Sequence, residues 1–142
     1  MKFKTLLTVA ASLALGLNLA VAADDDTPLA KEMAAMNKSL RTLKRQLADA
    51  SKKEENLGLL AKMKKNLEES KKLDPTKTKD VPAAEKPAFL AKYKEQLNGF
   101  GKSIDELEAA VTADKPDEAK KVLEKMSEQK EKGHKDFAPE EK

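Results

Sequence analysis

The sequence predicts an all-α protein, an antiparallel up-down-up-down four-helix bundle. Apolar residues recur at alternating three- and four-residue spacings in four separate stretches. Prolines fall between those stretches and prevent one continuous long helix. The composition is rich in Lys, Glu, Ala and Leu, with no Trp and a 4% share of aromatics, which suits helices better than strands. A three-helix or coiled-coil arrangement is the rival. Pro75, Pro82, Pro87 and Pro116 count against it, because they cut the pattern into lengths suited to a bundle.

Before the first helix, Met1 to Ala22 read as a secretory signal. Lys2 and Lys4 supply a basic start, Leu6 to Leu19 an apolar core, and Ala20-Val21-Ala22 a small-residue cleavage motif. The apolar core is shorter than the ~20 residues of a membrane span, so export without membrane insertion is expected. Residues 23–142 then form a single domain.

The first helix is expected from Pro28 to about Asp49, with Asp26 or Thr27 as its cap. Leu29, Met33, Met36, Leu40, Leu43 and Leu47 form its apolar seam. The second should cover Lys53 to Leu73, with Leu60, Met63 and Leu67 inward, Leu57 and Leu59 broadening that face, and Gly58 weakening it locally. Asp74 is pushed from helical angles by Pro75, which opens the longest loop, about 74–86. Pro87 suits the start of a third helix carrying Leu90, Tyr93, Leu97, Phe100, Ile104, Leu107 and Val111. Pro116, followed by Asp117 and Glu118, marks a fourth, with Ala119, Val122, Leu123, Met126 and Gly133 inward and Phe137 near its end. The tail after Pro139 is expected to be disordered.

Charge and cysteine content exclude several function classes. Without Lys2 and Lys4, the 28 basic residues fall to 26 against 25 acidic ones, so the exported chain is nearly neutral. Interspersed charges with four Phe and one Tyr give little basis for nucleic-acid binding. The absence of Cys excludes disulfides, zinc-thiolate sites and covalent haem attachment through a Cys-x-x-Cys-His motif. No nucleophile–base pair, phosphate loop or carboxylate–histidine metal cluster occurs, so the chain is not expected to be an enzyme.

Met33 and His134, the latter the sole histidine, carry the sharpest chemical signal. In an up-down-up-down bundle the first and fourth helices are antiparallel neighbours. Met33 lies about 7 Å from the start of the first, and His134 about 6 Å from the end of the fourth, at ~1.5 Å per residue. A thioether and an imidazole thus share one level, the donor pair that holds a haem iron by two axial bonds. Simpler readings stand beside this one: Met33 as core filler, His134 as a partner for the helix dipole. Met36 is a competing thioether one turn deeper. Gly133, costly inside a helix by ~1 kcal/mol relative to Ala, suits either close approach of a flat ligand or fraying of the helix end. Lys130, one turn before His134, is placed to pair with a haem propionate or simply to lie in solvent.

The segments Leu29-x-x-x-Met33-x-x-Met36-Asn37-x-x-Leu40 and Lys130-x-x-x-His134-x-x-Phe137 resemble the two ends of the cytochrome b562 family, whose name-giving member also exemplifies the up-down-up-down bundle in general accounts of helix packing. The resemblance implies a periplasmic protein that binds haem b without covalent attachment. It places the axial ligands at Met33 and His134 and puts Asn37 and Leu40 on the lining of the haem site. Pro75 corresponds to a loop proline closing over the pocket, and Tyr93 and Leu97 fall where the family sets aromatics against the haem. Leu97 departs from that pattern, since an aliphatic side chain replaces a ring. Extra residues between the first two helices and after Pro75 depart as well.

One-electron transfer follows from two protein axial ligands, with an unknown redox protein as partner. The alternative is an exported haem-free bundle with an interaction or chaperone-like role in the envelope. Leu57 and Leu59 leave both a monomer and a weak dimer open.

Overall fold

A computed structural model describes residues 27–139; the readings made for the signal segment and for the tail Glu140–Lys142 lie outside the described residues. Four helices follow one another: α1 Pro28–Gln46, α2 Lys53–Ser70, α3 Lys86–Thr112 and α4 Pro116–Phe137. The described residues contain no strand. The all-α four-helix bundle expected from the sequence is therefore the observed architecture.

Local chemistry sets the helix ends. The Thr27 hydroxyl accepts a hydrogen bond from the Ala30 amide at 3.1 Å, satisfying one of the free donors of the first turn of α1, with Pro28 occupying a position that needs no donor. α1 stops at Gln46, three residues before the expected Asp49. Asp49 turns its carboxylate onto the following Ser51, accepting from its amide at 3.0 Å and its hydroxyl at 2.6 Å, and so opens a 3-10 turn over Ala50–Lys52. α2 also ends early, at Ser70 where Leu73 was expected. Its last carbonyls accept in shorter 3-10 fashion, Leu73 amide to Ser70 oxygen at 3.2 Å, ahead of the donor-less Pro75. The long loop contains a second 3-10 turn, Thr76–Asp80, which leans on α3 and α4.

Packing divides the bundle unevenly. α1 lies along α2, α3 along α4, and α2 against α3, whereas α1 and α4 barely meet. One contiguous core runs through the four helices, with Leu43, Leu60, Met63, Ile104, Leu107 and Met126 fully enclosed at 0% exposure. Each of these sits on the three-four spacing read from the sequence. Leu57 and Leu59 are half-buried against this core, which gives both an intramolecular role. The buried Asn56 is paired across helices: the Gln46 amide donates to its Oδ1 at 2.9 Å, which ties the lower ends of α1 and α2.

Substituting Leu43→Ala should cost about 3 kcal/mol of unfolding free energy in a urea titration, from lost transfer energy and the cavity left behind. Gly58→Ala should have the opposite sign. A methyl group there meets no atom within 4 Å, so the helix propensity gain of up to ~1 kcal/mol is unopposed.

Candidate functional site

The site is built where α1 begins and α4 ends, and each helix is anchored there by a neighbour other than its counterpart. On α1, Glu32 accepts from the Asn66 side chain of α2 at 2.6 Å. On α4, Phe137 drives into the core edge-on to Phe89 and Tyr93 of α3, with ring centroids 5.2 and 5.3 Å away. Beside it, Asp136 accepts from Gln96 at 2.7 Å and pairs with Lys92 at 3.4 Å, both on α3. These contacts hold the Asp136 carboxyl below its usual range, the Gln96 bond being the main cause.

Between these anchored helices runs the thin α1–α4 seam. A hydrogen bond crosses it, from Lys130 Nζ on α4 to Asn37 Oδ1 on α1 at 3.4 Å. That bond joins the exposed sides of the two helices. Along their helices His134 lies one turn beyond Lys130 and Met33 one turn before Asn37. Met33 is half-buried and His134 exposed, at the mouth of the seam, while Met36 is buried at 5% exposure.

The remaining sequence candidates separate from these four. Leu40, Tyr93 and Leu97 are buried in the core below the seam, and Pro75 is buried where the loop turns toward α3 and α4. Tyr93 has a structural duty as well: its hydroxyl donates to the Ser70 carbonyl at 3.2 Å, closing the end of α2. Burial is the main cause that raises its pKa far above the ordinary value, and nearby Asp74 adds to the effect.

Gly133 is placed otherwise than by a ligand. A methyl group on it would stand 3.4 Å from Gln96 Oε1 on α3, so the missing side chain admits the α3 glutamine that holds Asp136. Sequence reading missed the anchors Glu32–Asn66 and Gln96–Asp136, whose signal is faint: polar residues beside apolar seam positions, on helix flanks half-closed by a neighbour. A groove of ≈ 550 Å³ lies at the far end of the bundle, between Ala109, Ala113, Lys115, Glu118 and Val122, and contains none of the candidate residues. Among the described residues, no three His, Cys, Asp or Glu side chains cluster as a metal site would require.

Met33 supplies a soft thioether where α1 begins and His134 an imidazole where α4 ends, with Leu40, Tyr93 and Leu97 buried in the core; thioether and imidazole are both donor types that a haem iron takes. The fold defines a four-helix-bundle protein. A family model described as Cytochrome b562 matches residues 28–138, which spans all four helices, and the chain belongs to that family of b-type haem-binding electron carriers. The comparison with curated proteins and that with solved structures returned no match. No helix among the described residues is long and apolar enough to cross a membrane.

Tyr93→Phe should lower stability by about 1 kcal/mol at neutral pH through loss of the bond to Ser70. The folded state holds the Tyr93 proton more tightly than the unfolded chain does. Its contribution is therefore complete below pH ~10 and lost as pH rises above that value. In urea titrations at pH 7 and pH 11, the gap between wild type and variant should narrow at the higher pH.

Proposed function

We propose that the protein is an exported, periplasmic b-type cytochrome that carries single electrons, with Met33 and His134 as the axial ligands of a non-covalently bound haem b. The observation that supports this reading is the Lys130–Asn37 bond across the α1–α4 seam, made one helical turn from His134 on α4 and one turn from Met33 on α1. The haem would supply an iron that cycles between ferrous and ferric states. Methionine ligation raises its potential relative to two histidines.

The protein's own residues supply the environment. Leu40, Leu97 and the ring of Tyr93 present apolar walls that exclude water and disfavour the extra charge of the ferric state. Phe137 and Asp136 pin the last turn of α4 to α3, so that the backbone carrying His134 is held without a ligand. Asn37 and Lys130 lie one turn from the proposed donors along their helices and provide polar groups beside the seam; release of Lys130 from Asn37 would free an ammonium for a haem propionate. Pro75 stiffens the loop over the same end of the bundle. Held by Met33 and His134, the haem iron would leave no site for a substrate, and the proposed role is electron carriage and not catalysis. We assign the partner as another redox protein.

The exposure of His134 favours a second reading, a haem-free exported bundle that acts by binding other proteins. Absorption titration of the signal-free chain with haemin, followed by dithionite, separates the two. The cytochrome reading expects a stoichiometric low-spin spectrum with sharp reduced bands. His134→Ala should abolish it, and Met33→Ala should leave haem bound with a high-spin iron. An unchanged low-spin spectrum in Met33→Ala would remove Met33 from the ligand set. Non-stoichiometric binding indifferent to His134 would favour the haem-free reading.

A further inference from the structure

The near-neutral total charge conceals a strong segregation. α1 carries five cations, Lys31, Lys38, Arg41, Lys44 and Arg45, against the single carboxylate of Glu32, which is turned toward Asn66. The other three helices are each balanced, with four cations and four anions in α2, four and four in α3, and six and six in α4. Ion pairs among the described residues join lysines of α2, α3, α4 and the connections to carboxylates, and none includes a cation of α1. All five cations are exposed.

Helix stability does not account for this placement. Lys44 and Arg45 lie in the last turn, where the helix dipole welcomes positive charge, but Lys38 and Arg41 lie mid-helix. There, like charges three and four residues apart cost a few tenths of a kcal/mol each. Arg41 and Arg45 are also the only arginines in a chain otherwise supplied with lysine. A planar guanidinium binds a carboxylate through two parallel bonds, which an ammonium cannot do. With Lys38, Asn37 and Ala34 they line a shallow groove of ≈ 410 Å³. Thr42 receives an Arg45 guanidinium bond at 3.4 Å and donates to the Lys38 carbonyl at 3.1 Å, so the groove wall is braced from its own helix.

The groove adjoins the haem seam. Asn37 belongs to both, lining the groove and accepting the Lys130 bond across the seam. We infer that the cationic face of α1, with Lys38, Arg41, Lys44 and Arg45 at its centre, is the docking surface for an acidic electron-transfer protein that presents clustered carboxylates. Resting on the cytochrome reading, this inference names the partner's chemistry and the edge through which electrons pass. Those four cations lie a dozen or more residues beyond the acidic run Asp24-Asp25-Asp26, which leaves Lys31 outside the docking set. A lipid surface fits less well, since the face bears no large apolar side chain to insert.

The test compares the wild type with Arg41→Gln/Arg45→Gln and, as control, Lys62→Gln/Lys65→Gln, which removes two exposed cations from α2. Stopped-flow oxidation of reduced holoprotein is followed with ferricyanide and with tris(phenanthroline)cobalt(III) at low ionic strength. The arginine variant should react about fivefold more slowly with the anion and faster with the cation, converging with wild type at high salt, while the control stays near wild type. Binding of a ten-residue glutamate peptide should weaken at least fivefold in the arginine variant alone, in holoprotein and in haem-free chain. Equal effects from both double variants, or none from either, would overturn the docking surface. Binding to phosphatidylglycerol vesicles that needs the arginines, without any for the glutamate peptide, would reassign the face to lipid. A chain that takes up no haem but binds the peptide through the arginines would defeat the cytochrome reading and the redox role of the partner, leaving an acidic-protein surface in place.

Discussion

The whole arrangement depends on one constraint: α1 and α4 are each fastened to another helix and hardly to each other. The fully enclosed layer of Leu43, Leu60, Met63, Ile104, Leu107 and Met126 binds the four helices lower in the bundle, and at the upper end the fastening is pairwise. Glu32 and Asn66 tie α1 to α2; Phe137, Asp136, Gln96 and Lys92 tie α4 to α3. A seam between two independently anchored helices can admit a flat ligand without loss of the packing that keeps the bundle folded. Had α1 and α4 been packed as tightly as α1 and α2, opening the seam would have required breaking a core of the kind whose single-residue losses cost several kcal/mol.

The same constraint orders the candidate residues by height along the bundle. Met33 and His134 lie at the rim, Asn37 and Lys130 one turn below, and Leu40, Tyr93 and Leu97 in the core beneath. Tyr93 shows how support and site are joined in one side chain. Its ring packs on Phe137, which positions the turn carrying His134, and its hydroxyl closes α2 at Ser70. The loop that follows, with Pro75 buried at its start, then leans back over α3 and α4.

Charge is arranged with equal economy. Three helices each hold equal numbers of cations and anions, and their ion pairs with one another and with the connections contribute little each, being largely exposed. α1 is left with a surplus beside the seam, on the face where neither the core nor a neighbouring helix has any use for it. An electron carrier needs a recognition surface near its cofactor that binds weakly enough to release, and long-range attraction to a complementary partner meets that need better than an apolar patch.

Apolar spacing alone determined that this chain is a four-helix bundle, because the three-four alternation in each segment leaves one face per helix that must be buried, and the prolines mark where the segments part. A fixed rise per residue likewise turns the sequence positions of Met33 and His134 into expected heights along their helices. Tertiary structure decided the rest. Helices one and two stop short of their apolar pattern because the Asp49 carboxylate and the Ser70 carbonyl take partners that no periodicity encodes. Gly133 faces Gln96 and not the seam, a matter of helix rotation that spacing left open. The surplus of α1 was hidden in a nearly neutral total because neutrality sums over the chain, whereas attraction acts on the charges that one face brings together.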